Sequence, residues 1–387
     1  MSRQDKPYRV YRGGRVKGRV PTLPKPERTT SRDGHRRPRL RYPGPGPKEP
    51  RRRRLGWRSR ILLILALVFL LLVAWVVASY LSLRKGAEDA NGRLPPAALN
   101  TLEPQNGLLL SHSSVILLLG TDHAAYQRQR AGFRRTDSIL LIRTDPGRGR
   151  LSYLSIPRDL RVEIPGHGFD KVNTAMQIGG PALAIRTVRQ LVPEVNHVVI
   201  VNFDAFKDVI DEVGGITVDV PGPILSNKFD CPYPTQERCD RWDGWRFAKG
   251  RQEMDGWRAL VYSRVRENRL NPAESDITRG RRQQEVITAL LSKLTSLDAL
   301  ARMPWIGDDV MRPLTTDMSA GEFMQLAIVQ KRSNRELRCR LGGTPQSLGG
   351  GSYIAPDEER HRTLLAFLGR SAPQPPLPGS AFGSGCL

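Results

Sequence analysis

A stretch of twenty residues without a single charge, residues 61–80, constrains this chain more than any other part of its sequence. The stretch is almost entirely aliphatic, and as a helix it has the length needed to cross about 30 Å of hydrocarbon. Six arginines lie in the ten residues before it, whereas the five residues after it contain one arginine and one lysine. Because basic residues accumulate on the cytoplasmic side of a membrane span, the sequence predicts a cytoplasmic N-terminus and an extracytoplasmic location for everything after residue 85.

The residues before the span favour an uncleaved anchor over a cleaved signal peptide. A signal peptide has a short basic leader and an apolar core of about 7–15 residues, but here residues 1–60 precede a core of twenty. This leader contains 21 of the 61 Lys and Arg residues, 4 of the 38 acidic residues and runs of Pro and Gly, a composition that cannot bury a core. We therefore predict a disordered, basic cytoplasmic tail. Its charge is explained by topology and by attraction to anionic head groups, and nucleic acid is not an expected partner.

Strand-like and helix-like segments alternate after a predicted stalk over residues 81–113. Short apolar runs, typical of strands buried on both faces, occur at residues 115–119, 138–142, 151–156, 197–201, 216–220 and 259–262, with a further strand near 336–340. Helical patterns cover residues 181–192, 203–213, 276–294, 319–330 and 357–369. The alternation predicts an α/β fold with a central mixed sheet covered by helices on both faces, preceded by one transmembrane helix.

The predicted organisation places the main folded domain at residues 114–300, a C-terminal part of the ectodomain at residues 301–370 and a flexible, Pro/Gly/Ser-rich tail at residues 371–387. Within the main folded domain, residues 222–256 form an irregular excursion that contains Cys231 and Cys239. These two cysteines bracket a short polar loop that a disulfide can close, and their spacing does not favour zinc. Cys339 and Cys386 are candidates for a second disulfide, but the sequence leaves their pairing open.

Carboxylates and arginines recur where apolar segments end. Asp122 follows the first predicted strand, Arg135 and Asp137 immediately precede the second, and Arg158 follows the third. Residues at strand ends face the crevice in which ligands of open α/β sheets bind. If the first two strands are antiparallel neighbours, Asp122 and Asp137 can both reach one cation, and Mg²⁺ suits two carboxylates together with phosphate oxygens. The alternative is that each aspartate caps a turn or pairs with a local arginine.

Further polar residues follow the same pattern later in the chain. Arg264 and Arg266 stand two apart after the predicted strand at 259–262, so they point to one side if the chain stays extended. Asp276, Arg279 and Gln283 share one face of the longest predicted helix. Such a face is often only solvated, but guanidinium groups match phosphate oxygens bidentately, and a cluster of them suits a diphosphate.

The same segments resemble the LytR-CpsA-Psr (LCP) family of bacterial cell-wall glycopolymer ligases over roughly residues 114–296. The resemblance rests on nine short motifs in order, namely Leu-Gly-Thr-Asp (119–122), Arg-Thr-Asp-Ser-Ile (135–139), Leu-Ser-Ile-Pro-Arg-Asp (154–159), Asp-Lys-Val-Asn (170–173), Asn-Phe-Asp-Ala-Phe (202–206), Val-Gly-Gly-Ile (213–216), Met-Asp-Gly (254–256), Tyr-Ser-Arg-Val-Arg (262–266) and Asp-Ile-Thr-Arg-Gly-Arg-Arg-Gln-Gln (276–284). Each motif alone is weak, whereas the ordered set is specific.

The resemblance implies a membrane-anchored phosphotransferase that moves a glycopolymer from a polyprenyl diphosphate carrier onto peptidoglycan. It implies Mg²⁺ as cofactor, and it implies catalytic roles for Arg158 and for the magnesium-binding aspartates Asp122 and Asp137. The positions that match the family's diphosphate-binding residues are Arg135, Arg158, Lys171, Arg264, Arg266, Arg279 and Gln283. Phosphoryl transfer depends on positioning and charge neutralisation, which agrees with this residue set.

Alternatives remain open on the sequence alone. Many family members have an arginine two residues after the first aspartate, whereas here His123 and Ala124 follow Asp122. A pyrophosphatase that uses water as acceptor needs the same site. A non-catalytic envelope or regulatory protein with a nucleic-acid-binding or lipid-binding tail is the alternative from a different functional class.

Overall fold

The computed structural model describes residues 56–121, 136–271, 276–377 and 383–387, with the backbone alone for residues 276 and 277. In the described parts of the chain the helices are α1 (Trp57–Asn91), α2 (Pro96–Leu99), α3 (Thr174–Arg189), α4 (Phe203–Glu212), α5 (Gln236–Arg241), α6 (Gly256–Arg264), α7 (Asp276–Leu294), α8 (Leu297–Met311), α9 (Ala320–Arg332) and α10 (Arg360–Phe367).

The strands in the same parts of the chain are β1 (Ser114–Thr121), β2 (Thr136–Asp145), β3 (Arg150–Ile156), β4 (Arg161–Ile164), β5 (Gly168–Lys171), β6 (His197–Asn202), β7 (Ile216–Val220), β8 (Ile224–Leu225), β9 (Arg246–Phe247), β10 (Gly250–Met254), β11 (Thr315–Thr316), β12 (Arg335–Arg340), β13 (Gly343–Leu348), β14 (Gly351–Pro356) and β15 (Gly385–Cys386).

Seven of these described strands form one mixed sheet in the order β11-β6-β1-β2-β3-β12-β15. β1 pairs antiparallel with β2 and parallel with β6, and β3 pairs antiparallel with β2 and parallel with β12. The continuous apolar runs of β1, β2 and β3 are explained by burial on both faces of the sheet. The predicted mixed sheet is therefore confirmed.

Helices cover both faces of this sheet, as the sequence predicts. On one face, Leu117 and Leu141 pack with α3 and α10 in a cluster of buried aliphatic residues. On the other face, Ile116 packs with the C-terminal part of α1 and with α8 and α9, and Ile142 packs next to partly buried residues of α7. The molecule thus has three layers, a sheet between two layers of helices.

Two elements differ from the sequence-based expectation. Residues 259–262, predicted as a strand, lie inside α6, whose N-cap Asp255 accepts a hydrogen bond from the backbone N–H of Arg258 at 2.7 Å. A short apolar run has the same pattern in a buried strand and in a buried helix, and the cap decides for the helix. The predicted helix at 181–192 begins earlier, at Thr174, and is kinked at Gly179 and Gly180.

The C-terminal part belongs to the same sheet as the N-terminal part. β12 extends the sheet beside β3, and β15 pairs with β12 through Cys339 and Cys386. Disulfides join Cys339 to Cys386 and Cys231 to Cys239. The prediction of a flexible tail over residues 371–387 was wrong at its end, because strand pairing and the disulfide hold residues 385 and 386 in the sheet.

The apolar span is part of a longer helix. α1 contains residues 61–80 and continues to Asn91, and its apolar window has a mean hydropathy of 3.3 and contains no buried residue. Residues 81–91, which the sequence analysis assigned to a stalk, extend this helix and include the buried residues Leu83, Ala87 and Ala90. The chain is thus membrane-anchored by a helix that also packs on its folded domain.

Candidate functional site

The ends of β1, β2 and β3 lie together at one edge of the sheet. Thr121, the last residue of β1, is opposite Thr136, the first residue of β2, while Gly120 is opposite Ser138. Asp137 is therefore the unpaired residue of a β-bulge. Bulges occur next to functional sites and redirect a side chain, and here the bulge puts Asp137 into the crevice at the sheet edge.

Arg158 is the centre of an ion-pair network at this edge. Its Nη1 donates to Oδ1 of Asp137 at 2.6 Å, and its Nε donates to Oδ2 of Asp159 at 3.3 Å. The other carboxylate oxygen of Asp159 accepts from Nζ of Lys171 at 2.9 Å. The side chains of Arg158, Asp137 and Asp159 are between 21% and 29% exposed, so the network is only partly shielded from water. It brings two of the predicted phosphate-binding cations, Arg158 and Lys171, into one chain of contacts.

The network also sets the protonation of its members. Burial alone lowers the pKa of Arg158, but the hydrogen bond and charge of Asp137, with those of Asp159, outweigh it and raise the pKa. Burial raises the pKa of Asp159, and the contacts with Lys171 and Arg158 overcome this effect, so that its pKa lies below the ordinary value. Both groups therefore stay charged at neutral pH, which is what an anion-binding site requires.

Helix α7 supplies the next wall of the site. Arg279, only 8% exposed, and Gln283 lie one turn apart and line the crevice. Oε1 of Gln283 accepts from Oγ of Ser138 at 2.9 Å, and Nε2 of the buried Gln284 donates to Oγ of Ser155 at 2.8 Å. These contacts fix α7 against β2 and β3. Of the predicted polar face, Arg279 and Gln283 both line the crevice, while the side chain of Asp276 lies outside the described residues.

Arg264 and Arg266 reach the crevice from the end of α6. Arg264 is the last residue of α6 and forms an ion pair with Asp230, and its guanidinium carbon lies 4.5 Å from the ring centroid of Phe203. Arg266 follows two residues later, and both arginines line one cavity of about 240 Å³. The helix, rather than the predicted strand, therefore positions this pair, but the two side chains converge as predicted.

A second cavity, of about 50 Å³, adjoins the first and shares Asp137, Arg279 and Gln283 with it. Among the described residues, the two cavities together are lined by five arginines and two aspartates, namely Arg158, Arg264, Arg266, Arg279, Arg340, Asp137 and Asp159. The crevice therefore carries a formal excess of three positive charges. A diphosphate diester is a small anion of complementary charge.

Arg340 is the member of this set that the sequence analysis missed. It ends β12, which runs parallel to β3, so its position opposite Ser155 places it at the same sheet edge. Its Nε donates to the carbonyl oxygen of Gly383 at 2.9 Å, and burial, with the charge of Arg281, lowers its pKa. Arg340 ends a predicted strand, but only the strand order, with β12 beside β3, shows that it belongs to the site.

A hairpin of β13 and β14 packs against Lys171 and lines the smaller cavity through Ile354. The Lys171 ammonium lies 5.4 Å from the ring centroid of Tyr353, and the backbone N–H of Ile354 donates to the carbonyl oxygen of Asp159 at 2.9 Å. Lys171 thus lies in the network although it does not line either cavity. The C-terminal part of the chain consequently contributes Arg340 and this hairpin to the site.

Two of the predicted site residues, Asp122 and Arg135, lie outside the described residues. For the proposed metal site, the antiparallel pairing of β1 with β2 meets the condition set by the sequence analysis, because Thr121 directly precedes Asp122 and lies opposite Thr136. Asp137 lines both cavities and its side chain is 29% exposed, so its hard oxygen donors fit Mg²⁺.

Comparison with known proteins decides the family. The family model described as "LytR_cpsA_psr family" matches residues 88–364. The chain belongs to this LytR-CpsA-Psr family. The resemblance noted in the sequence is thereby confirmed, and the match extends beyond residue 300 to include β12, Arg340 and the β13–β14 hairpin.

Relatives within the LytR-CpsA-Psr family include enzymes of wall attachment. The chain is 33% identical over 212 residues to polyisoprenyl-teichoic acid–peptidoglycan teichoic acid transferase TagT of Bacillus subtilis. The aligned region covers 54% of this chain and 62% of TagT, so the chain spans less than two thirds of the length of that relative. A solved structure described as TagT bound to LIIa-WTA is 29% identical, has a TM-score of 0.54, and covers 69% of this chain and 95% of that chain.

A further solved structure carries a lipid. It is described as the LytR-CPS2A-psr family protein YwtF (TagT) with bound octaprenyl pyrophosphate lipid, is 28% identical with a TM-score of 0.50, and covers 69% of this chain and 95% of that chain. The three-layer fold of the LytR-CpsA-Psr chain described here is therefore that of proteins for which a polyprenyl diphosphate complex is known.

Proposed function

We propose that this chain is a membrane-anchored phosphotransferase that moves a glycopolymer from a polyprenyl diphosphate carrier onto peptidoglycan. The single observation that carries the proposal is the crevice in which five arginines converge beside Asp137 at the ends of β1, β2 and β3. The relatives named above act on polyisoprenyl-linked teichoic acid and peptidoglycan, and one is described with octaprenyl pyrophosphate.

The reaction breaks one P–O bond and makes another. A hydroxyl oxygen of the acceptor attacks the phosphorus that bears the glycopolymer, and the bond to the bridging oxygen of the diphosphate breaks. Polyprenyl phosphate leaves with the bonding electron pair, and the hydroxyl proton is released as the new phosphodiester forms. Because the transition state of phosphoryl transfer is loose, the protein contributes mainly positioning and charge stabilisation.

The arginines divide naturally into two groups around the diphosphate. Arg264 and Arg266, at and just after the end of α6, line the larger cavity, whereas Arg158, just after β3, lines the smaller one and Arg279 of α7 lines both. Their planar forks bind phosphate oxygens bidentately, and a partly dehydrated crevice strengthens this contact. Before substrate binds, Asp137, Asp159 and Asp230 neutralise part of this charge, so the cations are held in place without a ligand.

Mg²⁺ is the cofactor that we propose, with Asp122 and Asp137 as its protein ligands. When bound, the ion neutralises charge on the phosphate oxygens and on the leaving group. The same proposal retains the topology expected from the sequence, with residues 1–60 in the cytoplasm and the folded domain outside. The two disulfides agree with an oxidising compartment.

The test uses the full chain in lipid nanodiscs with a labelled polyprenyl diphosphate oligosaccharide and soluble peptidoglycan strands. We expect Mg²⁺-dependent transfer of label to peptidoglycan and loss of transfer on chelation. Arg158→Gln is expected to abolish most of it, whereas Arg251→Gln, a change at an exposed arginine of β10, serves as the matched control. Release of free oligosaccharide phosphate at the same rate with and without peptidoglycan would instead identify a pyrophosphatase.

Topology is tested separately with a reporter enzyme fused after residue 85. Activity of a reporter that works only outside the cytoplasm supports the proposed orientation. Activity of its cytoplasmic counterpart contradicts it, since the proposed acceptor lies outside the membrane.

A further inference from the structure

Helix α8 exposes large apolar side chains on one side. Leu297 is 87% exposed and Trp305 is 73% exposed, and with the exposed Ala301 between them they are spaced four residues apart. Residues four apart lie on the same side of a helix. The opposite side, which includes Met303 and Val310, is buried in the cluster formed with α1. A tryptophan and a leucine exposed to this degree on one helix are typical of a binding surface rather than of a solvated face.

The buried side of α8 packs against α1 directly after the membrane span. The backbones approach closely, because a Cβ added at Gly86 would lie 2.5 Å from the carbonyl oxygen of Asp308. Nζ of Lys85 lies 2.7 Å from Oδ2 of Asp308, and Oγ of Ser82 accepts from the backbone N–H of Asp308 at 3.0 Å. α8 is thus fixed to the two turns of α1 that follow the span.

One contact reaches into the span itself. Nε1 of Trp75 donates to the carbonyl oxygen of Ala301 at 3.3 Å. Trp75 precedes Tyr80, the last residue of the apolar stretch, by five residues, or about 7.5 Å along the helix axis. Ala301 therefore lies near the depth of Trp75, about 7.5 Å inside the end of the apolar stretch, and Leu297 and Trp305 are one helical turn to either side of it.

We propose that Leu297, Ala301 and Trp305 of α8 insert into the interface of the bilayer leaflet on the side of the folded domain. Tryptophan is enriched at this depth because its ring is apolar and its N–H is polar, and interfacial helices bury their apolar side by about 5–10 Å. The charges beside the surface are satisfied, since Asp298 bonds Lys293 at 3.2 Å and Arg302 at 3.3 Å. This surface is continuous with the membrane helix, which favours lipid over a protein as its occupant.

Two contacts with the bilayer fix an orientation that a single anchoring helix leaves free. α7 ends at Leu294, two residues before the α8 N-cap Ser296, and it carries Arg279 and Gln283 at its other end. A helix of this length spans about 28 Å. The insertion of α8 therefore holds the arginine crevice at a set distance from the lipid surface. The inference rests on membrane anchoring alone and not on the proposed transfer reaction.

The test measures tryptophan emission of the full chain in nanodiscs. The difference in emission between the wild type and Trp305→Phe gives the emission of Trp305. The difference between the wild type and Trp257→Phe gives the emission of Trp257, a control tryptophan on α6 that is 39% exposed and contacts Trp245. Lipids brominated in the upper acyl chain are expected to quench Trp305 and to leave Trp257 unchanged, and acrylamide in the aqueous phase is expected to quench Trp305 less than Trp257 in the same nanodiscs.

Each other outcome contradicts the proposal. Equal emission of Trp305 in brominated and unbrominated nanodiscs shows that α8 does not enter the interface. A change in Trp305 emission that appears only when a second copy of the chain or another protein is added identifies α8 as a protein interface instead. Trp305→Phe alters an exposed side chain, so loss of folding does not confuse the result.

Discussion

Replacing Arg158 with glutamine removes the cation that joins Asp137 to Asp159 at the edge of the sheet. The change keeps a polar side chain but leaves the carboxylates of Asp137 and Asp159, 29% and 23% exposed, without their shared partner. Arg158→Lys keeps the charge, yet its single nitrogen cannot repeat the two separate contacts made by Nε and Nη1. The two variants therefore separate the effect of charge from that of geometry.

The structure sets the size of both effects. Charges about 4 Å apart at an effective dielectric constant of about 20 interact by about 4 kcal/mol, and desolvation offsets part of this. With partial exposure, we expect Arg158→Gln to lower the free energy of unfolding by about 1–3 kcal/mol. If Arg158 also stabilises charge on the transferring phosphoryl group, Arg158→Gln lowers the rate of transfer by a factor of about 10²–10³. The rate of Arg158→Lys then lies between that of the wild type and that of Arg158→Gln.

Chemical denaturation measures the first effect, and transfer of labelled glycopolymer in nanodiscs measures the second. A double-mutant cycle with Asp137→Asn isolates the pair, since the coupling is lost once either partner is removed. Wild-type transfer rates for a correctly folded Arg158→Gln protein would refute the assignment of Arg158 to the site. A loss of activity equal to that of Arg251→Gln would refute it as well.

Three further predictions concern neighbouring residues. Because the pKa of Asp159 is lowered, its ionic contacts stabilise the fold above the ordinary aspartate pKa of about 3.9 and are lost as the pH falls through the lowered value. Denaturation curves of the wild type and of Asp159→Asn should therefore differ by a constant free energy of unfolding above about pH 5. This difference should shrink below about pH 4. Gln284→Ala removes hydrogen bonds to Ser155 and to the carbonyl of Cys339 and should cost about 1–3 kcal/mol in the same assay, and an unchanged midpoint would contradict this packing role. Arg340→Gln removes a cation whose pKa burial already lowers, so the free energy of unfolding should change by less than about 1 kcal/mol. The KM for the lipid diphosphate should rise about tenfold or more. An unaltered KM would exclude Arg340 from the site.

Much of the architecture follows from local patterns. The apolar runs at 115–119, 151–156 and 216–220 lie within β1, β3 and β7, and the 3.6-residue pattern at 276–294 coincides with α7. These patterns are strong because each element is long enough, or buried enough, for burial to dominate its composition. The prediction of a strand at residues 259–262 was wrong because four apolar residues fit a strand and a helix equally well.

The site was predictable to the extent that its residues lie at the ends of such elements. Arg158, Arg264, Arg266, Arg279 and Gln283 converge as the sequence indicated. The bulge at Asp137 and the position of Arg340 were not predictable, because both depend on which strands pair and in what register.

The sequence by itself determined that one helix anchors the chain in a membrane, that an α/β sheet follows, and that carboxylates and arginines end its strands. These features depend on hydrophobic length, periodicity and residue type, which are local properties of the chain. The tertiary structure alone decided that β12 and β15 complete the sheet, that Arg158 links Asp137 to Asp159, and that α8 lies beside the end of the membrane span. These contacts join residues far apart in sequence, and their energies arise only when packing brings the partners together.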